Sequence, residues 1–498
     1  MRIALIVSIS IRSKANISSF GDNLLKTCAL SLSAVCLLFA LPALAQISQA
    51  DRQLARDILK ELIEINTTDS VGNVSAASEA MAKRLRAAGY ADSDMFIGGP
   101  TDRKRNLVVR LRGTGAKKPV LLIGHLDVVE ANREDWTSDP FQLVEKDGYF
   151  YGRGTEDMKA SDAISVVNMI QLKREGYTPD RDIILALTAD EEGGKSNGVD
   201  WLLKNHRELI DAEFALNADG GGVTTQNGKP LVVEMGASEK LYADYELEVT
   251  NPGGHSSLPT PENAIYRLSD ALVRLQHYKF PFELNDVTRA YFEQTAKVEK
   301  GQTAADMLAI TKTPADQAAI ERLSQDPYYN STMHTTCVAT KLQAGHANNA
   351  LPQRATANIN CRILPGHSRE EILKELVKVV NDPSVSVTYV RNGMKVVMGD
   401  TEKTALPPVP LKPEVMVPLE SISASMWPGA PVVPTMGTGA TDGVYTNPAG
   451  IPTYGVCGLA IENGDDRSHG RDERLGVESY YTGAEFYYRY LKAVAGGK

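Results

Sequence analysis

Hydrophobic positions along the first half of the chain alternate between two periods. Leu54 to Ile65 carries apolar residues at helical spacing, as does Ala76 to Ala88. Asn106 to Leu111, Val120 to Ile123 and Ile183 to Thr188 are short apolar runs bounded by charged residues, glycine or proline, the pattern of buried strands. Alternation of this kind builds a largely parallel sheet with helices on both faces, and ligands of such sheets sit beyond the carboxyl ends of the strands. It continues to about Gly236.

From Ala237 the order changes. Leu241 to Thr250 predicts a strand, Asn263 to Gln276 a helix, Thr336 to Gln343 and Ala355 to Ile363 strands, Arg369 to Val380 a helix, and Ser384 to Val390 a strand. That β-α-β-β-α-β order is a ferredoxin-like unit. It is interrupted from about Tyr278 to Ser331 by a segment with helical stretches of its own, which shapes either a substrate pocket or a dimer contact. Leu406 to Pro418 is rich in proline and reads as a linker; beyond it Pro431 to Pro434 and Thr453 to Val456 predict strands, and Val477 to Val494 a helix.

A chain of 498 residues exceeds one ordinary core, so two domains are expected. The fold class is α/β: a catalytic domain with a mostly parallel central sheet, formed by residues 46–236 and 393–498, and an inserted ferredoxin-like α+β lid over 237–392.

The first 45 residues differ from the rest. Basic residues Arg2, Arg12, Lys14 and Lys26 precede the uncharged run Cys28 to Leu41, which ends in Ala43-Leu44-Ala45 before Gln46. This is the layout of a secretory signal, with an apolar stretch short of the roughly 20 residues of a membrane span. A retained N-terminal anchor is the rival reading. Cleavage would remove Cys28 and Cys36 and leave Cys337, Cys361 and Cys457, for which a Cys337–Cys361 disulfide and three reduced thiols are both compatible with the spacing. A formal net charge of −9 and pI of about 5.6, with no polybasic run, argue against nucleic acid or anionic membrane as a partner.

Candidate chemistry lies in five short motifs at or near the ends of predicted strands: GHLDVV with His125 and Asp127, GRGTEDMK with Asp157, ADEEGG with Glu191 and Glu192, NADGG with Asp219, and SHGRDE with His469. Of only eight histidines, two fall in these glycine-flanked, carboxylate-rich loops. Imidazole and carboxylate donors without thiolate suit Zn²⁺, with Mn²⁺ or Co²⁺ tolerated. Two ions need about three ligands each with one carboxylate shared, and five ligands fit that arithmetic.

The joint order of these motifs resembles the M20 family of metallopeptidases and aminoacylases, over nearly the whole mature chain. The stretch from HLDVV through Trp136 and DPF to YGRGTEDMK is most similar to its carboxypeptidase and N-acyl-amino-acid hydrolase branch. The resemblance implies that Asp157 bridges two metal ions, with His125 and Asp219 completing one site and Glu192 and His469 the other. It implies Glu191 as general base, and Asp127 as the acceptor of a hydrogen bond from the second ring nitrogen of His125. His255 in PGGHSS would assist the developing oxyanion from the lid of a partner subunit, which implies a homodimer through the lid. Asn348 in HANNALPQ, Arg362 in NCRILPG and Gly439 in MGTGATDG would contact the substrate, Arg362 through a carboxylate. The implied activity is hydrolysis of a peptide or N-acyl amide bond next to a free carboxylate. Its rivals are a metabolite-specific deacylase or esterase, and a binding protein of the same fold without catalysis.

Overall fold

The computed structural model describes residues 47–193 and 195–497, so the signal reading of residues 1–45 lies outside the described residues. Ten strands form the central sheet. From one edge they run Met95–Thr101, Lys104–Leu111, Ile183–Thr188, Val120–His125, Phe214–Asn217, Thr453–Gly455, Lys229–Glu239, Gly222–Gln226 and Ala460–Glu462, with Val432–Gly437 also paired to Lys229–Glu239. The middle four, from Ile183–Thr188 to Thr453–Gly455, are mutually parallel, whereas the pairings that flank them are antiparallel. The sheet is therefore mixed, with a run of parallel strands at its centre and parallel pairs again where Val432–Gly437 meets Lys229–Glu239 and Ala460–Glu462 meets Gly222–Gln226.

Val120–His125 and Ile183–Thr188 are buried at every position, as central parallel strands covered on both faces must be. Helices Gln49–Glu64, Lys159–Arg174 and Val477–Ala495 share one apolar core with one face. Lys159–Arg174 is buried without interruption from Lys159 to Leu172, so it has no polar stripe to betray its phase. On the other face Val199 and Leu202 of helix Gly198–Asn205 pack with Leu121, Ile123 and Ile184.

The segment between these halves has its own sheet, in the order Thr336–Ala344, Arg354–Ile363, Leu241–Thr250, Val385–Arg391 and Met394–Lys395, all antiparallel. The first four strands have the ferredoxin-like arrangement. Strict alternation of burial along Arg354–Ile363 shows that one face is covered, and Leu268 and Ala271 of helix Ala264–His277 with Ile372 and Leu376 of helix Arg369–Val380 cover it. Cys337 faces Cys361 in register with a Cα–Cα distance of 4.1 Å, and the two form a disulfide. The reading of three reduced thiols is thereby corrected; among the described residues Cys457 is the free cysteine.

The interrupting segment forms helices Asp286–Thr295, Gly301–Ile310, Gln317–Leu323 and Pro327–Met333. Its apolar faces, with Phe292, Met307, Ile320 and Met333, pack on Val232 and Val433 of the catalytic sheet. It buttresses the catalytic domain. The linker expected over Leu406 to Pro418 also needs correction, because Pro413–Met426 is a helix. Pro413 stands in its first turn, where the missing N–H is not needed. Pro418 gives up one helical hydrogen bond, but Val415 and Leu419 on either side of it are buried in the main core. No helix among the described residues is long and apolar enough to cross a membrane.

Candidate metal centre

The parallel strands deliver the site. His125 is the last residue of Val120–His125, Glu191 and Glu192 follow Ile183–Thr188, and Asp219 follows Phe214–Asn217. All three strands end on the same side of the sheet. Asp157 stands just before helix Lys159–Arg174, and His469 lies in the loop before strand Arg474–Gly476.

Six of the residues singled out in the sequence converge. Asp157 is central: Oδ1 lies 3.1 Å from Nε2 of His125, and Oδ2 lies 3.0 Å from Nε2 of His469. Asp219 adds a carboxylate oxygen 3.9 Å from the same nitrogen of His125, and Glu192 places Oε2 3.0 Å from that of His469. Ligand atoms of His125, Asp157 and Glu192 all lie within 4.8 Å of one another, as do those of His125, Glu191 and Asp219. These distances set Asp219 beside His125 and Glu192 beside His469, with Asp157 reaching both imidazoles.

Charges in this cluster shift one another. Burial disfavours a proton on His125, yet its hydrogen bonds to Asp157 and Asp219 outweigh that and hold its pKa well above the ordinary value. Hydrogen bonding to Asp157 raises His469 to about 9. Burial would raise Asp157, but the two imidazoles pull it well below the usual carboxylate range. Burial, with Asp157 next, pushes Glu192 up to about 7, and burial pushes Glu191 up to about 9. Imidazole nitrogens and carboxylate oxygens face one another here at 3.0–3.9 Å, a donor set that fits divalent ions whose binding displaces ring protons.

One assignment changes. Nδ1 of His125 is 3.0 Å from the backbone carbonyl of Asp127, whereas the Asp127 carboxylate lies 3.9 Å away. The carbonyl fixes the ring, because a main-chain acceptor two residues along the same turn is closer than the side chain can come. The Asp127 carboxylate instead accepts the backbone N–H of Glu192 at 3.0 Å, which ties the loop carrying Glu191 and Glu192 to the end of the His125 strand.

Among the described hydrogen bonds and ion pairs, none joins the four other residues to this cluster. His255 is exposed on the short two-stranded ribbon that pairs it with Ala350, and its Nδ1 is 2.7 Å from Oγ of Ser257. Asn348 is exposed in the turn just before the second strand of that ribbon. Arg362 stacks on Tyr242, with its guanidinium carbon 4.7 Å from the ring centroid. Gly439 is exposed in a loop whose Thr441 and Asp442 bond Asn217 and Thr188, so this loop overhangs the ends of the parallel strands.

Sequence reasoning passed over three buried charged groups. Asp442 is 2% exposed, accepts hydrogen bonds from Asn197 and Thr188, and is pushed up to about 7 by burial. Glu473 and Arg153 form a buried ion pair at 2.6 Å. The available signal for the pair was its position inside SHGRDE and GRGTEDMK, where Arg153 stands between two glycines and Glu473 closes the motif that carries His469.

An α/β fold with two imidazoles and four carboxylates gathered at the ends of its parallel strands defines a metal-dependent hydrolase. The sequence profile of peptidase family M20/M25/M40 matches residues 121–493. The chain belongs to that family. It is 31% identical to Probable carboxypeptidase S-like 2 of Dictyostelium discoideum, over 75% of this chain and 71% of that one. It is 26% identical to the human N-fatty-acyl-amino acid synthase/hydrolase PM20D1, over 90% of this chain and 89% of that one. The crystal structure of the M20 family metallo-carboxypeptidase Sso-CP2 from Sulfolobus solfataricus superposes with a TM-score of 0.63 at 16% identity, covering 89% of this chain and 99% of that one, and so shares the fold.

Proposed function

We propose that this protein is an exported hydrolase, dependent on two zinc ions, that cleaves a peptide or N-acyl amide bond adjacent to a free carboxylate. The observation that carries the reading is the placement of Asp157 between two imidazoles, each with a second carboxylate beside it. His125, Asp157 and Asp219 would hold one ion, and Asp157, Glu192 and His469 the other. Ions held there supply electrophilic polarisation of the scissile carbonyl and a more acidic water. Glu191, next in chain to a ligand and buried in the same cluster, takes the proton of the attacking water and returns it to the leaving amine. Positive charge arriving in the cluster opposes the rise that burial imposes on Glu191 and favours its basic form.

Arg362 offers a planar fork for the substrate carboxylate; it rests on Tyr242 and is held by no carboxylate of its own among the described ion pairs. Asn348 and Gly439 line the approach to the site in this reading, and His255 acts from a partner subunit. The lid's edge strand Thr336–Ala344 supports a homodimer, since it is exposed from Val338 onward and its outer edge has no strand partner among the described residues. The Cys337–Cys361 disulfide supports export to an oxidising compartment such as the periplasm, because cytosolic reductants keep thiols reduced.

The test is to strip the mature protein of metal, restore Zn²⁺, and assay dipeptides beside N-acyl amino acids and esters. Zinc-dependent release of a free amino acid is the expected result. Cleavage of esters alone would favour the deacylase reading, and binding without turnover the non-catalytic one. Mass spectrometry of the exported protein should find Gln46, or a residue within a few positions, at the N-terminus; a full-length chain in the membrane would show a retained anchor.

A further inference from the structure

Glu473 is fully buried. Its Oε1 accepts the backbone N–H of Glu156 at 2.7 Å and of Asp157 at 3.1 Å, both its oxygens lie 3.1 Å from the N–H of Gly154, and Oε2 accepts from Nη1 of Arg153 at 2.6 Å. Arg153, 2% exposed, turns its other terminal nitrogen to the carbonyls of Gly470 at 3.0 Å and His469 at 3.4 Å. Its guanidinium sits 5.0 Å from the Trp136 ring centroid, which fixes its plane. Two loops from distant parts of the sequence are thereby joined by one carboxylate and one guanidinium. The first loop ends in Asp157 and the second carries His469.

His469 needs such a hold. Its φ of 62° lies in the left-handed region, which disfavours a residue with a β-carbon and persists where surrounding bonds impose it. Arg153 bonds the carbonyl of that residue. A buried ion pair adds little net stability over apolar packing of the same volume, so the distinctive effect of this one is geometric. His125 needs no such help, being fixed by its strand and by the Asp127 carbonyl.

We propose that the Glu473–Arg153 pair is a clamp that sets the spacing of Asp157 and His469 and so governs retention of the ion on the His469 side. Both are positioning residues. The proposal rests on the two-ion reading above. Removing partners that orient metal ligands costs 10- to 100-fold in affinity on the order usually found, and here the loss falls chiefly on one ion of the two.

The experiment equilibrates wild-type protein, Glu473→Gln and Arg153→Lys with Zn²⁺ at a series of buffered free concentrations and counts bound ions per chain by elemental analysis. Glu473→Gln keeps the shape but presents an amide N–H to a cradle of donors. Arg153→Lys keeps a cation for Glu473 but loses the fork that reaches both carbonyls. Both variants should need ~10–100 times more free Zn²⁺ for the second ion, with a smaller change for the first, whose ligands His125 and Asp219 the pair does not touch. Circular dichroism and thermal unfolding of the metal-free proteins check the fold, and Arg153→Lys decides the matter if Glu473→Gln does not fold. A folded variant that takes both ions at wild-type concentrations overturns the clamp. Wild-type protein that binds fewer than two ions overturns the two-ion reading itself, and the clamp with it.

Discussion

Asp157 and His469 meet at 3.0 Å although they belong to the two separate chain segments of the catalytic domain, and the second oxygen of Asp157 lies 3.1 Å from His125. A carboxylate shared in this way makes both halves of the site depend on it. Asp157→Ala should lose both ions and all measurable turnover, whereas Asp219→Ala should chiefly weaken the ion beside His125. Metal analysis of the purified variants checks this, and two ions retained by Asp157→Ala would exclude the bridge.

Glu191 lies beside the ligands without completing a half of its own. Glu191→Gln should keep both ions and the fold while turnover falls by ~10²–10⁴, the range for a positioned acid-base group. Steady-state kinetics at saturating Zn²⁺ measure it. Turnover within about threefold of wild type, well short of that range, would place the base elsewhere.

His255 is exposed on the lid's two-stranded ribbon, and no described hydrogen bond or ion pair joins it to the six clustered residues of its own chain. If it completes a partner's site, mixing inactive His255→Ala chains with inactive Glu191→Gln chains should restore up to about a quarter of wild-type activity, because hybrid dimers then hold one intact site. No recovery after verified subunit exchange would mean that His255 acts within its own chain or not at all.

Lys240, at the root of the lid, is fully buried, and its ammonium donates to the His334 carbonyl at 2.7 Å. Burial, with the Arg362 guanidinium second, lowers its pKa from 10.5 to about 7. Between those two values the unfolded chain keeps a proton that the folded chain has released, so stability rises with pH across that window and gains nothing from this group below it. Lys240→Met should flatten the rise, removing a pH-dependent contribution of at most about 5 kcal/mol. Urea unfolding at pH 6, 8 and 10 reads the difference, and an unchanged slope would show that Lys240 carries its charge in the fold.

Most of the fold was legible because its elements obey simple periods. Ile183 to Thr188 and Val120 to Ile123 are unbroken apolar runs, and both are strands where the sequence placed them. The lid's strands and helices fell within a few residues of expectation, and those such as Arg354–Ile363 and Arg369–Val380 that bury one face show it in their periodicity. Phe214–Asn217 was placed only through the strand-end motif NADGG, and Gly222–Gln226 was missed because its glycine, threonines and glutamine carry only one buried apolar side chain. Pro413–Met426 was misread because proline content outweighs helical spacing when no tertiary contact can be seen. The metal cluster was legible because His, Asp and Glu between glycines are chemically specific. The roles of Glu473 and Asp127 were not, because both act on backbone N–H groups, which sequence does not display.

The helices of Asp286–Met333 are docked on the catalytic sheet, not on the lid from which their chain emerges. The chain therefore passes between the two bodies four times: after Glu239, after His277, before Thr336, and between Lys395 and Pro413. A flap on two strands swings freely. One moored at four points, two of them pinned by a separate packed core, has its swing resisted by that core.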